Sequence, residues 1–387
     1  MHDRELFEKT FSALHASPDT LTEVRKTMQN EKKTRRALGK GAVIAIAAAL
    51  TLTVAVAGGI VTLIKADVSP ADKVDDTTHH AFTDDIDSSS PDFVEDGKGG
   101  YVPVADMERI PGDVKTTERL VGKYLSKLNA ELTVEGSTYK MGTFLVDDTG
   151  NGILTFSVEN PDGFEYGNMG YGETWIQNVR VGINYGRSEP TDPYGQDHGY
   201  AFADTKLYVD EETSTDTCLQ VIAYFISGKG YEKGTNFFFT VRAASGQPYS
   251  VSIQPKTYLP VKTLTAENGQ KMFLSPLGLT MVDTLYTDDE ILIDEILVRY
   301  QDGSDYAVDS AERNLRNWVV GFITGGGDTA EYYQTELGIT DPPEGNYYSY
   351  LFNRLVDVDT VTSIDLVGRY LNPETNCGEV QKHIYQP

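Results

Sequence analysis

Asp147, Thr149 and Asn151 alternate ahead of Gly152, so oxygen-bearing side chains recur here at the spacing of a calcium-binding loop. The register then fails. The twelfth position, which must bring a bidentate carboxylate, is Val158, and the flanks are strand-forming runs rich in Thr, Val, Phe and Leu. The six residues 147–152 read instead as a turn joining two strands, 138–146 and 153–159. His79-His80 has no Cys nearby and no third His to complete a tetrahedral zinc shell. Asp84, Asp85 and Asp87 read as a solvated charge run. Gly39-Lys40 lacks the glycine spacing of a phosphate loop, and no Gly-x-Ser-x-Gly elbow occurs. Carboxylates are plentiful, but the separation that would make two of them a glycosidase pair is not written in sequence. The chain therefore reads as a non-enzyme, with no cofactor and no metal site.

The aromatic series Tyr166, Tyr171, Trp175, Tyr185, Tyr194 and Tyr200, threaded with Gly and Asp, suits either of two uses. An exposed cluster would bind peptide or sugar. Alternate members could equally be core residues and cross-strand pairs, the favoured reading in a β-rich chain. Cys218 and Cys377 lie far apart, in a strand-like run and in a turn, and read as two separate thiols rather than a bridge.

Such side chains need elements to hold them, and charge divides the chain in two. The formal charge is −25, yet the first 65 residues carry ten Lys and Arg against six Asp and Glu, which leaves 23 against 52 in the remainder. A body this acidic is unsuited to nucleic acid. Residues 41–64 contain no charged side chain and lie between Lys40 and Lys65, long enough as a helix to cross a hydrocarbon core about 30 Å thick. Arg25, Lys26, Lys32, Lys33, Arg35, Arg36 and Lys40 precede this run, and Asp67, Asp72, Asp75 and Asp76 follow it. The positive-inside bias then keeps the N-terminus in the cytoplasm and exports the rest. Ala55-Val56-Ala57 resembles a signal-peptidase site, but the forty-residue leader and the apolar residues beyond the cut favour a retained anchor in the bilayer.

Before the span, residues 3–15 align Leu6 or Phe7, Phe11 and Leu14 on one helical stripe. Ser17-Pro18-Asp19 starts a second helix carrying Leu21, Val24 and Met28. Two helices this short cannot form a core and must pair, lie on the membrane, or dock on a partner. The organisation expected is thus a cytoplasmic helical tail (1–40), a transmembrane helix (41–64), an acidic flexible stalk (65–112), and two extracytoplasmic β-sandwich domains in series, 113–260 and 261–387. The first is led by a helix over 116–129. Further strands are expected at 175–185, 205–210, 217–227, 236–243, 249–254, 261–266, 271–275, 278–285, 291–300, 318–324 and 362–371, with a helical turn at 311–316. The fold class is mainly β, with Ig-like sandwiches.

The segment FEKTFSALHASPDTLTEV (7–24), the basic run, the single span and the β-rich remainder resemble membrane-anchored anti-sigma-like proteins of Gram-positive bacteria, grouped around a domain of unknown function numbered 4179. FLSPLGL (273–279) and VTSIDL (361–366) are similar to strand motifs of that group's second exported domain. The resemblance implies a signalling regulator whose tail holds a sigma factor through Phe7, Phe11, Leu14, Leu21, Val24 and Met28, while the β-domains sense an envelope ligand or stress. The zinc signature of one large anti-sigma class is missing. The alternative is a passive surface display or adhesion protein whose tail only anchors it.

Overall fold

A computed structural model describes residues 51–56, 59–82, 93–95, 101–103, 112–164, 175–176, 179–186, 200–228, 231–283, 291–311, 315–324, 346–371 and 378–387. The tail positions Phe7, Phe11, Leu14, Leu21, Val24 and Met28, and also Cys377, lie outside these residues. The described chain is mainly β.

The first sheet comprises β1 (Thr51–Val56), β2 (Gly59–Lys65), β10 (Trp175–Ile176), β11 (Val179–Gly186), β12 (Tyr200–Phe202), β15 (Asn236–Arg242) and β16 (Pro248–Ile253). It faces a second sheet of β3 (Asp67–Pro70), β6 (Ser126–Asn129), β7 (Glu131–Val134), β8 (Ser137–Val146), β9 (Gly152–Glu159), β13 (Asp204–Val209) and β14 (Cys218–Ile226). Between them lies a core of alternating inward residues, with Tyr139, Phe156 and Phe239 in one ring cluster and Phe144, Phe225 and Phe237 in another. A third sheet runs β17 (Lys262–Thr265), β18 (Lys271–Leu274), β19 (Gly278–Asp283), β24 (Asn346–Phe352), β23 (Trp318–Thr324). A fourth runs β22 (Leu315–Arg316), β21 (Asp305–Ser310), β20 (Ile291–Tyr300), β25 (Val361–Leu371), β26 (Gly378–Tyr385), and the two enclose a core including Met272, Met281, Ile296, Val298, Tyr348, Ile364 and Tyr385. Apart from one separate two-stranded hairpin, strands through Ile253 thus belong to the first pair of sheets, and strands from Lys262 onward to the second.

Four expectations are corrected. The helix expected over 41–64 does not extend through its C-terminal part, because β1 and β2 pair antiparallel and β2 pairs parallel with β16, Ile64 opposite Val251. Leu63 and Ile64 are buried. A charge-free run is as compatible with buried strands as with a membrane helix, and here Thr, Val and Ile dominate both segments, which favours β. No helix among the described residues is long and apolar enough to cross a membrane.

The stalk is the second correction. Within 65–112, β3 pairs with β6, and helix α1 (Asp76–His80) is capped by Asp75 accepting from Thr78 N. Val68, Val74, Thr78, Ala81 and Phe82 are buried, so a few apolar side chains at the right spacing anchor a segment whose composition reads as mobile. β4 (Phe93–Glu95) and β5 (Tyr101–Pro103) form a small hairpin of their own. Third, the helix expected over 116–129 is only α2 (Val114–Val121), capped by Asp113 and followed by a 3-10 turn from Gly122. From Ser126 to Val134 buried and exposed residues alternate strictly, a strand period that outranks the helical coincidence of Leu125 and Leu128. Leu315–Arg316 likewise form a strand, β22, where a helical turn is expected.

The burial of β2 yields a direct expectation. Ile64→Asp places a charge in the first core and should cost about 4 kcal/mol or more, read as a large drop in the thermal unfolding midpoint of the β-rich body. An unchanged midpoint would show that β2 is not part of that core.

Candidate functional site at the seam between the sheet pairs

β14 explains why the two pairs of sheets meet. Its sequence CLQVIAYFI is apolar at nearly every position, the mark of a strand covered on both faces. Leu219, Val221, Ala223 and Phe225 point into the first core. Ile222, Tyr224 and Ile226, with Leu145 and Ile153, point the other way, into a second apolar layer. That layer is completed by Val74, Ala81, Phe82, Val121 and Leu125 around α1 and α2, by Leu277 of the turn between β18 and β19, and by Val319, Val320 and Leu351 of the third sheet. The Tyr224 hydroxyl donates to Ala81 O at 2.7 Å, which ties the end of α1 to this strand.

The polar part of the seam is the β8–β9 turn. Asp147 is buried, and its Oδ1 accepts from Thr149 N (2.9 Å), Thr149 Oγ1 (2.7 Å) and Asn151 N (3.0 Å), while Oδ2 accepts from Ser275 Oγ at 2.7 Å. Burial pushes the Asp147 carboxyl above the usual carboxylate range, against the pull of these bonds. The Asn151 amide reaches Thr280 Oγ1 at 3.0 Å and Ser349 Oγ at 2.9 Å on β19 and β24. Asp148 N donates to Leu259 O, and Leu259 N to Val146 O, so the connection between the sheet pairs is laced to the same turn. On its far side Ser227 Oγ donates to Gly150 O at 2.7 Å, and the Tyr347 hydroxyl donates to Ser227 O. Gly150 has φ +85°, and a Cβ there would lie 2.7 Å from the Tyr231 ring, so the turn requires glycine at this position.

Both Asp147 oxygens are already taken up by donors of the chain itself. Donors converge on the Asp147 oxygens, and the Asn151 amide presents N–H groups toward the second sheet pair. Among the described residues no group of three or more His, Cys, Asp or Glu is placed to hold a metal. The expected hairpin is present, with Val146 opposite Gly152, and it acts as a rivet between two bodies. FLSPLGL, singled out by sequence, supplies the opposing half of the joint through Ser275, Leu277 and Gly278. A Cβ on Gly278 would collide with Tyr350 O, which is why β19 can approach β24 here.

The histidine pair is likewise built into the structure. His80 Nδ1 lies 2.9 Å from Asp210 Oδ2, and Nε2 lies 3.7 Å from Glu212 Oε2, which holds α1 to the end of β13. His79 Nε2 hydrogen-bonds Gly112 O. Of the aromatic series, Tyr185 is buried in the first core with its ring against Phe237 and Tyr231. Trp175 and Tyr200 fall on β10 and β12, and Tyr166, Tyr171 and Tyr194 lie outside the described residues. Cys218 is a free thiol, half-buried at the start of β14, and burial raises its pKa.

Beside the apolar layer is a cavity of about 230 Å3, lined by Phe82, Gly112, Asp113, Thr116, Thr117, Arg354 and Leu355. Arg354 packs its guanidinium 4.1 Å from the centre of the Tyr306 ring. No periodicity in the sequence joins residues 82, 112–117 and 354, so this site was not legible before the fold.

No family model matches the chain, and no curated protein matches it. Among solved structures it is similar to one described as the crystal structure of the conserved domain protein from Bacillus anthracis, at 12% identity and a TM-score of 0.35, over 67% of this chain and 88% of that chain.

The seam makes its own demand on pH. Asp147→Ala strands the Thr149 and Asn151 N–H groups and should cost about 3 kcal/mol. Asp147→Asn keeps an acceptor for the turn. Because the folded state holds the Asp147 proton more tightly than the unfolded chain, the stability this carboxyl contributes is full below its unfolded value. It is lost as pH rises through the raised folded value. Unfolding midpoints measured from about pH 4 upward should therefore fall for the parent relative to Asp147→Asn. Parallel curves would contradict the buried carboxyl.

Proposed function

We propose that the chain is a single-pass membrane regulator of the anti-sigma type. A cytoplasmic tail holds a transcription factor through Phe7, Phe11, Leu14, Leu21, Val24 and Met28, and an extracytoplasmic body of two Ig-like sandwiches senses an envelope ligand or stress. The observation that carries this reading is the order of segments in the sequence: an amphipathic helical pair, a basic run, a charge-free run, then an acidic β-rich remainder. The pairing of β2 with β16 limits the anchor, which must end before Gly59. Residues 41–58 as a helix would be about 27 Å long, enough to cross with slight thinning of the bilayer. β1, an edge strand whose sheet partner is β2, would then be given up to the helix.

Two features support signalling over passive display. β2 is hydrogen-bonded to β16 of the body, so force or displacement in the body is delivered to the anchor through a paired strand. The seam packs the two pairs of sheets against each other, so a ligand held by either would act on the same body. Retention of the partner is helix-in-groove recognition, and release needs a bias transmitted through the span or its cleavage.

The test is capture by the intact chain. Purified from its native membrane, the parent should carry a sigma factor identifiable by mass spectrometry, and the Phe11→Asp, Leu21→Asp, Val24→Asp triple variant should lose about nine-tenths of it or more. Equal recovery of every cytoplasmic protein from parent and variant would favour display. Protease added to intact protoplasts should digest the β-rich body, and its protection would remove the topology on which the proposal stands.

A further inference from the structure

The cavity beside the seam has two opposite charges on its lining and few other polar groups left to serve. The Gly112 N–H donates to Phe82 O, and the Gly112 carbonyl accepts from His79. The hydroxyl of Thr117 donates to Asp113 O, and that of Thr116 donates to Asp113 Oδ2. Arg354 remains. Its guanidinium meets the Tyr300 hydroxyl and lies over the Tyr306 ring, but it forms no ion pair among the described residues. Asp357, three residues on, is already paired with Arg119 at 2.7 Å. Asp113, the solvent-exposed N-cap of α2, also lines the cavity and accepts from the Thr116 N–H and hydroxyl, bonds that hold its carboxyl below the usual range. A carboxylate offers about four lone-pair directions, so it can take a further donor. Phe82 and Leu355 supply apolar surface to the lining.

We infer that this cavity is a binding site for a small zwitterion, a free amino acid or short peptide, with its carboxylate on Arg354 and its ammonium on Asp113. Three observations select that class. One acid and one base face the same space, so a ligand bearing both charges leaves neither unpaired, whereas a simple anion would meet Asp113. The strongly acidic body repels anions at a distance but not a molecule of zero net charge. The volume is below the roughly 300–1,000 Å3 of drug-sized pockets and suits one or two amino acids. Its walls come from α2 on one side and the loop after β24 on the other, so an occupant bridges the two sheet pairs across the seam. The inference rests on the reading of the body as a ligand sensor and names the class of ligand.

Glycylglycine is the probe, titrated calorimetrically into the full-length chain, with the unfolding midpoint followed in parallel. It should bind and raise the midpoint. N-acetylglycylglycine, lacking the ammonium, and glycylglycinamide, lacking the carboxylate, should each bind about tenfold more weakly or worse. Arg354→Gln and Asp113→Asn should each cost a similar factor, and the second keeps the helix cap because Asn caps as well as Asp. Arg354→Lys keeps the charge over Tyr306, which separates loss of binding from loss of packing. No heat or midpoint shift with glycylglycine at about 10 mM, full binding by both variants, or inorganic phosphate binding as tightly as the dipeptide would each overturn the inference. Sigma-factor capture is an independent readout. Capture retained without dipeptide binding sinks only the cavity, and binding without capture sinks only the regulator.

Discussion

The described body depends on one sheet being apolar on both faces. β8, β9 and β14 turn one set of side chains toward the first sheet and the other set toward α1, α2 and the third sheet. An outer face carrying Leu145, Ile153, Ile222, Tyr224 and Ile226 cannot be left in water without exposing a contiguous apolar patch, and burying it is what brings the second pair of sheets into place. The segment of composition expected for a stalk is drawn in by the same requirement, since Val74, Ala81 and Phe82 cover one end of that face. Two sandwiches in series thereby become a single unit instead of two beads on a linker.

Apolar burial alone would let the sheets slide, because it is non-directional. The Asp147 turn supplies direction. Its carboxylate, the Asn151 amide and the hydroxyls of Ser275, Thr280 and Ser349 meet in one orientation, and a buried polar group displaced from its partner is penalised far more than an apolar one. The cost is a carboxyl held where burial disfavours its charge, tolerated because its two oxygens accept four hydrogen bonds. A residue pattern that suggests a calcium loop thus serves as a peg. The same short, oxygen-rich, Gly-bearing turn can satisfy a cation or a neighbouring domain, and only the direction of the donors tells them apart.

Much of the strand content was legible. The runs at 291–300 and 318–324 match β20 and β23 to the residue, and the 146–152 hairpin is where turn chemistry puts it. The misses have physical reasons. β6 and β7 carry their signal in strict alternation from Ser126 to Val134, masked by a helix just upstream and by the spacing of Val121, Leu125 and Leu128, which also suits a helical stripe. β24 is an interior strand of Tyr347, Tyr348 and Tyr350 flanked by acidic, Gly-rich sequence that reads as loop. β2 was hidden by the length of the charge-free run in which it sits, since hydrophobicity without period does not separate a membrane helix from a buried strand.

By itself the sequence determined the β-rich class, the opposite charges of the two ends of the chain and the Asp147 turn, because each is a matter of composition or of contacts between neighbours in the chain. It also held a sign of the seam in the unbroken apolar run of β14, although not what would cover it. Tertiary structure decided which strands share a sheet, that FLSPLGL faces the turn at 147–151, and that Asp113 and Arg354 share one cavity. Those last two pairings join residues more than a hundred positions apart, and no local periodicity encodes them. They follow from which apolar faces find each other when the chain excludes water.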